Sequence, residues 1–372
     1  MNSKRSYARR VLIFSASFGG GHRSAAEALK SYFEAHYADE VDVRIVDFFE
    51  EFMPGVNVLA KFAYQQSVAF FPDLYGTFFE VSNALPTNPV VHELRIMGFQ
   101  RATSYIDDFR PDAVISTFPV AGGVVSDIKQ TRRMVVATVI TDYGVHRTWL
   151  HPATDLYFVA SAEVREGLVA QGLAWDRVVV SGIPVHEKFS EVLDKAACRR
   201  DLDLADRFTV LLTAAAGLTS EVRDIAAELA VGGIQVAAAT GHHSRLKRRL
   251  DTVAKKQGLV HVYGYTPHMH RMMRSADVLV GKAGGLTVSE SLAVGLPLII
   301  YNPVPGQEIY NVDFLVNSGA GLLSRDEDDV IEKVRFLANH QDRLRQMAEN
   351  ARALGTPEAA RAVCEQVLAA LR

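Results

Sequence analysis

Two stretches of the chain set residue types at spacings suited to holding an anion beside a group that can move a proton. In SASFGGGHRSAAEAL, residues 15–29, three glycines and His22 stand between the apolar run VLIF and a helix-forming segment. Glycine lets a backbone N–H approach a ligand closely. The helix behind Gly20 and Gly21 adds partial positive charge that favours a phosphate or a developing anion. The loop fails the Walker spacing, because no Lys-Ser/Thr pair follows. It also fails G-x-G-x-x-G, because Ser24 occupies the third glycine position. Asp47, closing the second strand, keeps a dinucleotide site open as one alternative, and a ligand-free tight turn is another.

The second stretch, VGKAGGLTVSESLAVGLPLIIYNPVPGQEIYN, spans residues 280–311 and is more specific. Gly284 and Gly285 lie between a strand and a helix, again an anion-cradling position. Glu290 falls about a turn and a half into that helix, where a carboxylate can accept the two adjacent hydroxyls of a ribose. Gln307 and Glu308 follow the next strand as an amide beside a carboxylate. Backbone amides for a diphosphate, a carboxylate for ribose and an amide with a carboxylate for hydroxyls form the series that a nucleotide bearing a polyhydroxylated group requires.

The elements around these stretches read as two βαβ arrays. RVLIFSA, VDVRIVDF, DAVIST, MVVATVIT, DLYFVAS and RVVVSGIPV are strands of the first, with helices over about 24–35, 56–70 and 88–109, and another beginning near Glu163. FTVLLTAAAG, GIQVAAAT, LVHVYGY, ADVLVGK and LPLIIYN are strands of the second, and the Ala-rich, charged tail from about Asp326 is helical. β-Branched runs alternating with helical periods predict an α/β fold of two doubly wound, Rossmann-like domains. Gly182 and Pro184 place the boundary near 181–191, giving domains 1–184 and 185–372, the latter with the C-terminal helices. A chain of 372 residues suits two such cores. The net charge of -3 gives no reason to expect nucleic acid. Cys198 and Cys364, far apart, suit a reducing compartment. No apolar run is long enough to cross a bilayer. His242, His243, His268 and His270 lack the spacing of a zinc helix, and no metal site is expected.

The segments SASFGGGHRSAAEAL, TDYGVHRTWLHPATDLYFVAS, SGIPVHEKF and GGLTVSESLAVGLPLIIYNPVPGQE together resemble the bacterial diacylglycerol glycosyltransferases and the plant monogalactosyldiacylglycerol synthases. More distantly they are similar to the enzyme that adds N-acetylglucosamine to lipid I. The resemblance runs from the first strand to about residue 320. It implies a GT-B fold with an interdomain cleft, the acceptor lipid held mainly by the first domain and a UDP-sugar by the second. It further implies inversion at the anomeric carbon without an essential metal or other cofactor. On this resemblance Gly284 and Gly285 face the diphosphate and Glu290 the ribose, Gln307 and Glu308 hold the sugar hydroxyls, and Thr287 is a further donor-binding residue. Uracil rests beside Tyr265 with the backbone of Thr266 at its edge. The loop TAAAGL, 213–218, departs from its glycine-richer relatives.

Such a site must take the proton of a lipid hydroxyl as it attacks the anomeric carbon. His22 is the first candidate base, since imidazole titrates near working pH. Asp142, at the end of MVVATVIT, is the second, or the group that orients His22. Phe48, Phe49, Phe52, Phe62, Tyr64, Phe70, Phe71, Tyr75, Phe78 and Phe79 crowd one segment, which reads equally as a membrane-docking hairpin or as core. The basic run HHSRLKRRLDTVAKK, 242–256, reads as a solvated helix face or an anionic-lipid contact. The expected protein acts in the cytoplasm on the inner face of a bacterial membrane, moving glucose or galactose from a UDP-sugar to diacylglycerol. Another lipid acceptor, a non-catalytic sugar-nucleotide-binding protein and a dinucleotide oxidoreductase are the alternatives.

Overall fold

The computed structural model describes residues 9–17, 20–55, 89–213, 221–306 and 308–372. Phe62 to Phe79 of the aromatic segment, most of the TAAAGL loop, the expected helix over 56–70 and Gln307 lie outside them. The chain divides into two units, Met1–Glu187 with Thr356–Arg372, and Lys188–Gly355.

The first unit carries β1 (Arg9–Ser15), β2 (Val41–Asp47), β3 (Ala113–Ser116), β4 (Val135–Val139), β5 (Leu156–Val159) and β6 (Val178–Val180). All pair in parallel, in the order β2-β1-β3-β4-β5-β6. Val11, Leu12, Ile13 and Phe14 of β1 are wholly buried, as expected of an inner strand with both faces covered. Odd and even positions divide between two cores: Leu12 and Phe14 join Phe48, Phe52 and Ile106 on one face, Val11 and Ile13 join Leu29 and Phe33 on the other.

Helix α1 runs Gly21–His36, starting three residues earlier than expected. Gly20 takes near-helical angles (φ -85°, ψ -23°) and its carbonyl accepts from Ser24 N at 3.0 Å. His22 therefore stands on the first helical turn rather than in a free loop. Ala25, Ala26, Leu29, Tyr32 and Phe33, at helical spacing, form the buried face. Phe48, Phe49 and Phe52 of the aromatic segment lie on the short helix α2 (Phe48–Phe52) and are core residues. The unit continues with α3 (Pro89–Phe109), α4 (Pro119–Lys129) and α5 (Ala162–Ala170), the last capped by the Ser161 hydroxyl.

The second unit holds α6 (Lys195–Asp201), β7 (Thr209–Thr213), α7 (Glu221–Val231), β8 (Gln235–Ala239), α8 (Ser244–Lys256), β9 (Val260–Tyr263), α9 (Met269–Ser275) and β10 (Val278–Gly281). It continues through α10 (Gly285–Val294), β11 (Leu298–Tyr301), α11 (Ile309–Asn317), β12 (Gly321–Ser324), α12 (Glu327–Asn339) and α13 (Gln341–Leu354). Its parallel sheet has the order β12-β11-β10-β7-β8-β9. The first sheet reverses direction between β1 and β3, the second between β7 and β10. At such switch points the loops diverge and leave a crevice at the carboxyl edge.

The last helix, α14 (Ala359–Ala370), corrects the expected division, which assigned it to the second domain. Ala360, Val363, Cys364 and Val367 pack with Leu29, Phe33 and Phe158 of the first unit. Arg9 donates to Leu368 O at 2.9 Å, and Cys364 Sγ lies 3.6 Å from Leu29 O. The helix is an apolar stripe with no other face to cover, and sequence order alone gave it to the wrong core. Val363→Asp buries an unpaired carboxylate there and should raise amide hydrogen exchange in β1 and α1 while leaving β7 and β10 unchanged. A rise confined to residues 188–355 would contradict this packing.

Candidate active site

In the first unit the site gathers at the reversal between β1 and β3. The Thr117 hydroxyl, just past β3, donates to the His22 carbonyl at 3.0 Å and fixes the first turn of α1. Thr141 Oγ1, just past β4, lies 2.8 Å from His22 Nδ1. The His22 ring meets Phe118 edge-on at 5.1 Å and Trp149 at 6.1 Å. Burial pushes the imidazole down to about 4, opposed by a hydrogen bond to the Thr117 backbone. The ring is thus neutral at physiological pH, where the sequence suggested titration near pH 7. In the tautomer that carries its proton on Nδ1 and donates it to Thr141, Nε2 keeps its lone pair and can accept a proton.

Asp142 follows Thr141 directly and is half-buried. The residue at Nδ1 is Thr141, a position that the sequence reading passed over. A Cβ at Gly20 would meet nothing within 4 Å, and its φ is negative. The backbone does not require glycine there; the open space lies beside the helix N-terminus, next to Gly21. Asp47 is otherwise engaged. Its Oδ1 accepts from Phe49 N and Glu50 N, both at 3.1 Å, and its Oδ2 from the Ser17 hydroxyl. A carboxylate spent on capping α2 does not reach for a ribose, so the dinucleotide alternative loses its acidic contact.

In the second unit Gly284 is the N-cap of α10, with Gly285 its first residue and Thr287 in its first turn. Three local features fix this turn. Asn311, fully buried on α11, donates to Ala283 O at 2.8 Å. Thr213 donates to Val280 O at 3.3 Å, and a Cβ on Gly281 would overlap its hydroxyl. Glu308 Oε2 accepts from Val304 N at 2.8 Å, and its Oε1 lies 3.7 Å from where a Gly284 Cβ would stand. A Cβ at Gly284 would meet that carboxylate at ordinary van der Waals contact. The structure therefore brings Gly284 and Glu308 together, as the sequence suggested. Asn311 and Thr213 carried no signal beyond being polar residues in apolar runs.

Charges at this turn are held in a low-dielectric setting. Burial pushes Glu308 up, opposed by the Val304 N–H and by Lys282. Burial likewise pushes Lys282 down, opposed by Glu308. Glu290, five residues beyond Gly285, is raised to about 8 by burial alone. Without a ligand it is mostly a neutral acid at pH 7, and hydroxyl donors would favour its ionised form.

Tyr265 and Thr266 follow β9, at the sheet edge, three strand spacings or about 14 Å from β10. Only an extended ligand reaches both ends. Tyr265 is exposed, and its ring stacks on His242 with centroids 4.4 Å apart and planes 16° apart. Thr266 Oγ1 accepts from His268 N at 3.0 Å, leaving its backbone as the group for recognition. His242, which lacks the spacing of a metal ligand, thus serves as an aromatic support for Tyr265. Among the described residues no group of three or more His, Cys, Asp or Glu side chains is placed to hold a metal ion.

Residues 22–185 match the monogalactosyldiacylglycerol (MGDG) synthase family, and residues 213–363 match the glycosyltransferase family 28 C-terminal domain. The chain is 30% identical over 365 residues to the processive diacylglycerol beta-glucosyltransferase of Bacillus cereus (strain ATCC 14579), covering 97% of this chain and 93% of the relative. It is 28% identical to the protein of that name from Bacillus subtilis (strain 168), covering 97% and 95%. Its fold is similar to Acinetobacter baumannii MurG, with a TM-score of 0.64, 14% identity and coverage of 97% and 99%. It is also similar to UDP-GlcNAc 2-epimerase from Neisseria meningitidis bound to UDP-GlcNAc, with a TM-score of 0.65, 16% identity and coverage of 97% and 100%. The architecture is GT-B, and His22, Thr117, Thr141 and the run from Gly284 to Glu308 fall inside the matched segments. The chain belongs to the diacylglycerol glycosyltransferase family that is related to the monogalactosyldiacylglycerol synthases.

Proposed function

We propose that this glycosyltransferase moves glucose or galactose from a UDP-sugar to the free hydroxyl of diacylglycerol, with inversion and without an essential metal, at the inner face of a bacterial membrane. The observation that carries this reading is the neutral His22 ring at the switch point of the first sheet, in a chain that aligns nearly end to end with diacylglycerol beta-glucosyltransferases. The acceptor oxygen attacks the anomeric carbon as His22 Nε2 takes its proton. The bond from that carbon to the β-phosphate oxygen breaks, and its electron pair leaves with UDP. The N–H groups at the start of α10 and the nearby Lys282 are suited to that growing charge. Asp142, beside Thr141, is the reserve base. Gln307, outside the described residues, remains a proposed partner of Glu308 on the sugar hydroxyls.

A peripheral mode of membrane contact suits the surface. Among the described residues no helix is long and apolar enough to cross a membrane. Ile96, Met97 and Phe99 on α3 are exposed, close in sequence to the aromatic segment. Helix α8 buries Leu246 and Leu250 and turns Arg245, Arg248, Arg249, Lys255 and Lys256 outward, a face suited to anionic lipid. The word "processive" in the relatives' names favours a second reading of the acceptor, in which the glycolipid product itself is extended.

Purified protein incubated with diacylglycerol vesicles and UDP-glucose or UDP-galactose should yield a hexosyl lipid. A lipid fraction without hexose under both donors overturns the proposal. His22→Ala should lower turnover by about 10²–10⁴-fold with UDP affinity nearly unchanged; full turnover would move the base to Asp142. Because the base works only unprotonated, kcat/KM should be flat through neutrality and fall as pH drops through about 4, the value burial gives His22. An acid limb near 6 to 7 would contradict that environment. Glu290, at about 8 without ligand, must ionise to hold a ribose as a carboxylate. Uridine affinity followed by NMR should rise with pH, by about fivefold from pH 7 to 8 and about tenfold in all, and level off above about 9. Glu290→Gln should remove that slope, and a slope retained in the variant would detach Glu290 from the ribose.

A further inference from the structure

The second unit has a cavity of about 390 Å³ that the proposed transfer does not use. Its walls include Asp277 and Pro297, which immediately precede β10 and β11, so it opens at the amino edge of the sheet. Gly284 and Glu308 lie past the carboxyl ends of the same strands. The cavity and the proposed donor site thus stand on opposite edges of one sheet.

Four cationic side chains reach this cavity: Lys195, Arg274, Arg345 and Arg352. Its carboxylate, Asp277, is already engaged. It pairs with Lys195 at 2.5 Å and Arg199 at 2.7 Å, and accepts from Thr209 N at 2.7 Å. Arg274 is held by carbonyls, donating to Val294 O, Phe189 O and Glu191 O at 3.1–3.3 Å. Those bonds fix its position without neutralising it. Arg345 pairs only with the exposed Asp342, at 3.3 Å. Arg352 lies across Gly295, whose φ is +70° and whose Cβ, were there one, would fall 2.8 Å from the Arg352 Nε. Glycine at that helix C-cap therefore serves two ends, the left-handed turn and the passage of Arg352. Burial and the nearby Arg352 both push Arg274 down, the response of a cation facing another with no anion between them. Met273 and Leu344 give the cavity an apolar side.

We propose that this cavity is a binding site for a phosphate monoester or diester, with Arg274 and Arg352 as the principal contacts and Arg345 at the rim. Guanidinium pairs match phosphate oxygens with parallel N–H bonds, and the apolar wall suits a small carbon skeleton behind the phosphate. A soluble phosphate ester and a phospholipid headgroup present the same chemistry.

The test uses the full chain with saturating UDP, so that the donor site is occupied. Glycerol 3-phosphate is titrated calorimetrically, and sedimentation with phosphatidylglycerol vesicles is compared with phosphatidylcholine vesicles. Arg352→Ala and Arg345→Ala are the variants, since both side chains are exposed and hold no structural bond in the core. Arg352→Ala should weaken glycerol 3-phosphate about tenfold, which identifies a soluble ester, or should weaken phosphatidylglycerol binding alone by a similar factor, which identifies a headgroup. Arg345→Ala should act in the same direction and less. Absence of glycerol 3-phosphate binding together with vesicle binding unaltered in both variants would overturn the proposal, as would glycerol 3-phosphate binding that neither variant changes.

Discussion

Loops leaving neighbouring parallel strands on opposite faces must diverge, and the gap they leave cannot be closed by the strands themselves. That topological constraint places the candidate chemistry in both units. In the first sheet it sets the start of α1 beside Thr117, so that a hydroxyl past β3 holds the carbonyl of His22. In the second it sets the Gly284 turn beside Thr213, which holds the carbonyl of Val280. Each unit uses a threonine from one side of the reversal to fix the backbone on the other. The helix N-termini then face the crevice with their N–H groups free of side-chain caps.

Burial does the second part of the work, and it acts on acids and bases in opposite directions. Placed among Phe118, Trp149 and Thr141, His22 loses its charge; placed in α10 without a cationic partner, Glu290 loses its own. Both groups are neutral in the resting protein. In the proposed transfer, charge would arrive with the reaction or the ligand, as a proton taken up by the imidazole or as ionisation of the carboxyl when hydroxyl donors meet it. Neither group then has to shed a bound counterion, so reorganisation at these positions is small.

Much of this was legible in the sequence where backbone chemistry and residue type coincide. GGGH after VLIF and GGLTVSE after ADVLVGK carry their meaning locally, because glycine before a helix and after a buried strand has few other uses. Contacts across strands carried no such signal. Thr117, Thr141 and Asn311 are polar residues to which no motif assigns a role, and only the strand order brings them to His22 or Ala283. Asp47 misled for the complementary reason: its position after a strand suits a ribose, but a helix begins at the next residue and takes its oxygens as a cap. The C-terminal helix misled because its amphipathic pattern says that it packs and not where. Of the aromatic crowding, Phe48, Phe49 and Phe52 belong to the core.

The partner at His22 Nδ1 bears on how the proposed base would work. A carboxylate in that place would stabilise the imidazolium and raise the ring toward or above its ordinary value, leaving it partly protonated and unable to accept. A threonine hydroxyl supplies direction without charge: it holds the ring plane, pairs with either tautomer, and leaves burial to keep the ring neutral. The cost is low basicity, so proton transfer from an alcohol cannot run ahead of bond formation. It becomes favourable only as the attacking oxygen bonds to the anomeric carbon and its own proton turns acidic. In the proposed transfer such an order suits a reaction in which departure of the diphosphate leads and the proton follows, and it leaves the greater share of the electrostatic task to the groups proposed to meet the diphosphate.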